Sequence, residues 1–344
     1  MQNTNQKIID AIIAKAEKIC PDSLALIGIY GSVATGDDYA KSDLDLLILI
    51  QDDEGWKLGT GFILDDSGIG YDIYCTNWDG LRYDAECHHA QISKLMDSKI
   101  VYVKKPEAYD ELCRLRKQAK DFLQSEGRFE RVNELIDKAK ISFANSYLHD
   151  TLSQVRIDAS DVMLCLLDAL MLYHGNYFKR GVKRTFEELA TLPIADEFSC
   201  NLRKIPTCKK VSEIREVLKM LLSYAEGYMQ KPQEKQEPSA GLAGTYEEMY
   251  SNWRNKVEKA AAENDAYSSF MNMSSFHYML QDIASENNIG TYNIMEEYNP
   301  DDLEDDIRIY DIYLKKYEEV YHKAGIAVKR FSNVDEFVED YLNS

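Results

Sequence analysis

Two aspartates stand at the start of the most apolar segment of the chain. Asp43 and Asp45 lead into LLILI, residues 46–50, and a run without polar alternation is typical of a strand buried on both faces. Side chains two residues apart on a strand share a face, so both carboxylates should lie together at the strand's N-terminal end. A divalent cation bound by both offsets their repulsion most simply. The alternative is a pair of strand-end aspartates in solvent.

The turn that precedes these aspartates has the residue types of a phosphate-binding turn. Gly31 and Ser32 follow the apolar run LALIGIY, residues 24–30. Glycine at a strand-to-loop turn allows backbone amides to approach a phosphate closely, and a serine hydroxyl adds a donor without bulk. Lys41, two residues before Asp43, is a candidate counter-charge for a triphosphate. A phosphate site beside a metal site is therefore expected.

The spacing of these residues resembles that of a known family. Gly31-Ser32, ten intervening residues and Asp43-x-Asp45 are similar to the motif of the nucleotidyltransferase superfamily that includes DNA polymerase beta, and within it to aminoglycoside and minimal nucleotidyltransferases. The resemblance covers the first hundred residues specifically, the next hundred loosely and the last hundred not at all. It implies that Gly31 and Ser32 hold a nucleoside triphosphate and that Asp43 and Asp45 bind Mg²⁺.

The same resemblance implies a third, buried carboxylate on a neighbouring strand. Asp72 is the leading candidate because it lies in IGYDIYC, residues 69–75, the next strand-like run. It is expected to be the third metal ligand and also to deprotonate or orient the acceptor hydroxyl. A strand-end aspartate that caps a turn is the alternative.

Basic residues are concentrated in NYFKRGVKRTFEEL, residues 176–189. This segment follows a long apolar helical pattern, as in the helical domain of aminoglycoside adenylyltransferases, where a lysine after that helix reaches the phosphates. The resemblance extends this role to Lys179 and Lys183. The alternative for each is a solvated basic helix start.

Composition limits the classes of partner and compartment. A formal net charge of -19 over 344 residues argues against a nucleic-acid partner, since gripping phosphate backbones requires lysine and arginine, and a small cationic substrate fits better. The seven cysteines are scattered without a CxxC pair, as expected for reduced cytosolic thiols. No run approaches the length of a membrane span. A cytoplasmic location without membrane association is expected.

The order of patterns predicts an α+β protein. Mixed strands and helices predict an N-terminal nucleotidyltransferase domain over 1–105, with a mixed β-sheet flanked by helices. Helical patterns then predict a bundle domain over 106–230 and a C-terminal helical region over 245–344. The segment 231–244, rich in proline, glycine, glutamine and charge, is predicted to be a linker.

These observations predict a Mg²⁺-dependent adenylyltransferase that moves AMP from ATP to a hydroxyl of a small molecule, of the aminoglycoside antibiotic type. That activity would confer antibiotic resistance. Two alternatives stay open: an antitoxin-type nucleotidyltransferase that adenylylates a protein or tRNA, and a non-catalytic nucleotide-binding module that retains the fold.

Overall fold

The computed structural model describes residues 2–230, 240–287 and 289–343. The chain forms two compact units, and the boundary between them falls between residues 231 and 232. Most of the predicted linker, residues 231–239, lies outside the described residues. The first unit mixes strands and helices and the second is helical, so the predicted combination of a mixed sheet with many helices is confirmed.

The strands of the first unit all precede residue 104, and they are β1 Leu24–Ile29, β2 Leu46–Ile50, β3 Thr60–Leu64, β4 Ile69–Ile73, β5 Cys75–Thr76 and β6 Lys99–Val103. Its helices are α1 Gln2–Ile19, α2 Gly31–Thr35, α3 Trp78–Ala85, α4 Ser93–Met96, α5 Pro106–Gln124, α6 Gly127–Leu148, α7 Leu152–Tyr173, α8 Thr185–Leu189, α9 Asp196–Lys204 and α10 Val211–Tyr228.

Four strands form a mixed sheet in the order β5-β2-β1-β6. β1 is antiparallel to both β2 and β6, whereas β2 is parallel to β5. β3 and β4 form a separate antiparallel pair in which Asp72 faces Gly61 in register. β2 thus lies inside the four-stranded sheet, between β5 and β1, and the hairpin β3–β4 is a separate two-stranded sheet.

Strand β2 is buried on both faces, as its sequence predicts. Leu46, Ile48 and Ile50 join a core with α1, while Leu47 and Leu49 join the core formed with the helices on the other face. The two aspartates lie just before β2 rather than within it. The alternation continues through them, since Ser42 and Leu44 are buried and Asp43 and Asp45 are half-buried. The apolar strand therefore fixes both carboxylates on one face.

The apolar pattern of residues 81–98 predicts one helix, but the structure interrupts it. The structure has α3 and α4 with an irregular segment between them, in which Cys87 adopts the left-handed conformation with φ 51°. The Ala90 amide donates a hydrogen bond of 3.0 Å to Asp168 Oδ1 on α7. This bond across the fold satisfies an amide that a continuous helix would have paired locally, so tertiary structure overrides the periodic pattern.

The helices predicted after residue 106 are present, and Pro106 occupies the first turn of α5, where its missing amide proton costs nothing. One core contains Ala25 and Leu47 of the sheet together with Leu115 of α5, Leu166 of α7 and Leu218 of α10. The predicted boundary between residues 105 and 106 therefore lies inside the first compact unit.

The second unit is built around long helices with an aromatic core, and its helices are α11 Thr245–Met249, α12 Asn255–Ala262, α13 Ala266–Glu286, α14 Ile294–Glu297, α15 Leu303–Lys323 and α16 Val334–Asn343, with a π-helical turn Tyr250–Arg254 before α12. Tyr310, Tyr317 and Tyr321 of α15 are fully buried. Their hydroxyls are hydrogen-bonded, as when Tyr310 donates 2.7 Å to the Met249 carbonyl, so the aromatic core leaves no such group unsatisfied.

Two expectations from composition can be compared with the fold. All seven cysteines are unpaired, in keeping with reduced thiols. Within the three described ranges, no helix combines the length and the apolar character that crossing a bilayer requires.

Candidate functional site

A cavity of about 530 Å³ opens in the first unit between the segment 31–45 and the turn 181–184. Its lining residues are Gly31, Ser32, Thr35, Asp37, Tyr39, Lys41, Ser42, Asp43, Asp45, Gly181, Val182, Lys183 and Arg184. The fold thus brings the predicted phosphate turn, the predicted metal pair and two of the predicted lysines to one place. We call this cavity the acidic-pair cavity.

Gly31 is required by the close approach of its backbone to Asp45. It adopts φ +67°, and a Cβ built on it would lie 1.9 Å from Asp45 Oδ2 and 2.9 Å from Asp45 Cβ. The Tyr30 amide also donates a hydrogen bond of 3.1 Å to the Asp45 carbonyl, which ties the turn to the segment before β2. The turn and the carboxylate therefore form one rigid unit that only glycine can complete.

The pKa of the Asp45 carboxyl group depends on its burial and on Asp43. Burial raises its pKa above the ordinary value, and the neighbouring charge of Asp43 raises it further, while the Ser32 amide lowers it. Burial and a like charge both disfavour the ionised form. A positive charge placed beside the two carboxylates would offset their repulsion.

The charges of four carboxylates act on the hydroxyl of Tyr30, which immediately precedes Gly31. Burial raises the pKa of Tyr30 to about 12, and the charges of Asp45, Asp84, Asp43 and Asp72 raise it further, in that order. Asp72 therefore contributes the least of the four.

Asp72 itself does not line the acidic-pair cavity. It is exposed on β4, where the pleat of the hairpin buries Tyr71 and Ile73 instead. The resemblance implied a buried carboxylate beside Asp43 and Asp45. That expectation about burial is wrong, because the hairpin turns the opposite face of β4 toward the core. Its roles as metal ligand and base stay predictions.

The residues present can be compared with what Mg²⁺ requires. Within residues 2–230, 240–287 and 289–343, no three His, Cys, Asp or Glu side chains lie close enough together to hold a metal ion. Mg²⁺, however, is commonly bound through one or two carboxylates, with waters and substrate phosphates completing the octahedron. The pair Asp43 and Asp45, with its raised Asp45 pKa and open cavity, fits that pattern.

The predicted basic residues separate into two groups. Lys41 and Lys183 line the acidic-pair cavity, and neither forms an ion pair with any residue that the structure describes. Lys179 lies in a neighbouring pocket with Tyr177, and its ammonium is 5.7 Å from the Tyr177 ring centroid. Lys183 is thus brought to the site, and Lys179 is not.

An ion pair that the sequence analysis did not single out joins the two walls of the cavity. Arg184 donates hydrogen bonds of 3.0 and 2.8 Å from Nε and Nη2 to Asp37 Oδ1, and Arg180 Nε lies 3.6 Å from Asp37 Oδ2. Desolvation raises the pKa of Asp37, but the hydrogen bond and charge of Arg184 outweigh it and the net pKa is lowered. Asp37 and Arg184 are 147 residues apart, so no local pattern signals this pair.

Asp84 is a second residue that the sequence analysis missed. It is only 5 % exposed, its Oδ2 makes no hydrogen bond, and Lys94 Nζ lies 3.5 Å from that atom. The one available signal was a carboxylate on the apolar face of α3, next to Leu81 and Ala85, which are also buried. Such a position is unusual for an aspartate unless it is paired.

Comparison of the chain with protein-family models and with the sequences of curated proteins found no match.

Proposed function

We propose that this protein is a Mg²⁺-dependent nucleotidyltransferase that transfers AMP from ATP to a hydroxyl group of a small, cationic acceptor. One observation carries the proposal: Gly31, Ser32, Asp43 and Asp45 converge in one cavity whose opposite wall supplies Lys183. Acidic ligands for a metal and lysines for phosphates are the two needs of nucleotidyl transfer.

Each side chain has a defined task in this reaction. Asp43 and Asp45 would hold Mg²⁺, which supplies Lewis-acid stabilisation of charge at the α-phosphate when it is bound. Lys41 and Lys183 would neutralise the triphosphate from the two walls. Asp72 is the candidate base that accepts the proton of the acceptor hydroxyl, on the chemistry of a carboxylate near the acidic field at Tyr30.

The acceptor class follows from charge. The chain carries a net charge of -19, and the carboxylates of Asp43 and Asp45 lie in the lining of the cavity. A polyamine-like or amino-sugar alcohol would be attracted there. Aminoglycoside-type antibiotics are the first acceptors to test.

A labelled-nucleotide assay tests the proposal. Purified protein with Mg²⁺ and α-labelled ATP should release pyrophosphate and label an acceptor from a panel of aminoglycosides, lincosamides and related alcohols. Asp45→Asn should abolish the transfer, whereas the matched control Asp38→Asn, an exposed aspartate outside the cavity lining, should not. Unchanged transfer by Asp45→Asn would refute the assignment.

One observation favours a second candidate, a nucleotide-binding module without catalysis. The metal pair lacks a third ligating carboxylate among the residues that the structure describes. Tight Mg-ATP binding without pyrophosphate release across the whole acceptor panel would support this alternative over the transferase.

A further inference from the structure

Two exposed apolar side chains stand at the opening of the acidic-pair cavity. Tyr39 is 64 % exposed and Val182 is 90 % exposed, although both line the cavity. The other residues of the lining are polar, charged or glycine. An aromatic and an aliphatic side chain within the lining of a charged cavity are the apolar contacts that a planar group of a ligand would need.

The two side chains belong to two walls that an ion pair joins. Tyr39 lies in a turn closed by two hydrogen bonds, since its amide donates to Ser42 Oγ and its carbonyl accepts from the Ser42 amide, each at 2.9 Å. Asp37, two residues before Tyr39, accepts hydrogen bonds from Arg184, two residues after Val182. The ion pair therefore ties the segment that carries Tyr39 to the segment that carries Val182.

The lining of the cavity combines two kinds of chemistry. Asp43 and Asp45 with Lys41 and Lys183 suit a metal and phosphates. Tyr39 and Val182 add an aromatic ring and an aliphatic side chain, which suit a flat, weakly polar group. A nucleoside triphosphate carries both kinds of group.

We infer that Tyr39 and Val182 bind the base of the nucleotide by stacking and apolar contact. This inference rests on the proposed function and deepens it. Every base has a π-face that can stack on an aromatic ring. Stacking on Tyr39 therefore requires a planar base and does not distinguish bases by the hydrogen-bonding groups on their edges. ATP and GTP should therefore bind with similar affinity, and the reaction should accept either purine nucleotide.

Calorimetric titration of the full chain with two probes tests the inference. Mg-ATP carries a base and Mg-tripolyphosphate does not. Tyr39→Ala should weaken Mg-ATP binding by about 5- to 150-fold, the range for one base stacked on an aromatic ring, and leave Mg-tripolyphosphate binding unchanged. Tyr39→Phe should bind both probes as the wild type does. Tyr74→Ala removes an equally exposed tyrosine outside the cavity lining and should change neither.

Each other result has a separate meaning. If Tyr39→Ala binds Mg-ATP as tightly as the wild type, the stacking site is refuted while the proposed function stands. If Tyr39→Ala weakens both probes equally, Tyr39 supports the cavity and does not bind the base, which also refutes the inference. If the wild type binds neither probe, the proposed function itself fails, and the inference with it.

Discussion

Replacing Gly31 with alanine should damage both stability and nucleotide binding, and Gly36→Ala is its matched control. Both glycines have positive φ, +67° and +77°, and both belong to the same short helix, at its start and at its C-cap. A Cβ at Gly36 would meet nothing within 4 Å, whereas a Cβ at Gly31 would lie 1.9 Å from Asp45 Oδ2 and 2.6 Å from Asp45 Cγ. Comparison of Gly31→Ala with Gly36→Ala therefore separates the effect of backbone strain, which both variants share, from the effect of collision with the Asp45 carboxylate.

The expected magnitudes follow from these contacts. A left-handed backbone costs a non-glycine residue about 1–2 kcal/mol, which is the whole expected effect of Gly36→Ala. Gly31→Ala adds the displacement of the Asp45 carboxylate, because its Oδ2 would lie 1.9 Å from the new Cβ. Release of the half-buried Asp45 carboxylate to solvent offsets part of that addition. At about 2–4 °C per kcal/mol for a domain of this size, the melting temperature should fall by about 2–8 °C in Gly36→Ala and by more in Gly31→Ala.

Scanning calorimetry of the full chain, with the transition of the first unit followed, measures the stability difference. Titration with Mg-ATP measures the second consequence, since a displaced Asp45 should lose Mg-ATP binding in Gly31→Ala while Gly36→Ala retains it. Equal falls in melting temperature for the two variants would refute the collision with Asp45. Intact Mg-ATP binding in Gly31→Ala would refute the role of that carboxylate in holding the metal.

Three further predictions concern the charged residues. Because burial and Asp43 raise the pKa of Asp45, its ionised form destabilises the metal-free fold increasingly as pH rises through the folded pKa. Asp45→Asn should therefore raise the melting temperature at pH 7 without Mg²⁺ and remove the stabilisation by Mg²⁺. A lower melting temperature of Asp45→Asn without Mg²⁺ would contradict this. Asp72→Asn should reduce kcat by about 10²–10⁴-fold with little change in Mg-ATP affinity if Asp72 is the base, whereas lost Mg-ATP binding would make it chiefly a metal ligand. Arg184→Ala should raise KM for Mg-ATP more than it lowers kcat, and Asp37→Ala in the Arg184→Ala background should add little; additive effects of the two changes would argue against coupling. Since the net pKa of Asp37 is lowered, the contribution of this pair should persist at neutral pH and disappear only as pH falls through that lowered pKa.

Local sequence determined the features that depend on short-range periodicity and sterics. The run LLILI is typical of a strand buried on two faces, and the structure places Leu46 and Leu47 in different cores. The two-residue spacing of Asp43 and Asp45 predicts that they share a face, because the pleat of an extended chain alternates. Gly31 was predicted to allow close approach to a phosphate, and the close neighbour that the structure shows is Asp45.

Tertiary structure alone decided which distant residues lie near Gly31, Asp43 and Asp45. The exposure of Asp72 depends on which face of the hairpin β3–β4 packs inward. The break at Cys87 is accompanied by a hydrogen bond from the Ala90 amide to Asp168, 78 residues away. Both are set by long-range packing, which competes with local pattern and is invisible to it. The choice of Lys183 over Lys179 for the cavity, and the pairing of Asp37 with Arg184 across 147 residues, likewise require the chain to be folded before the side chains are neighbours.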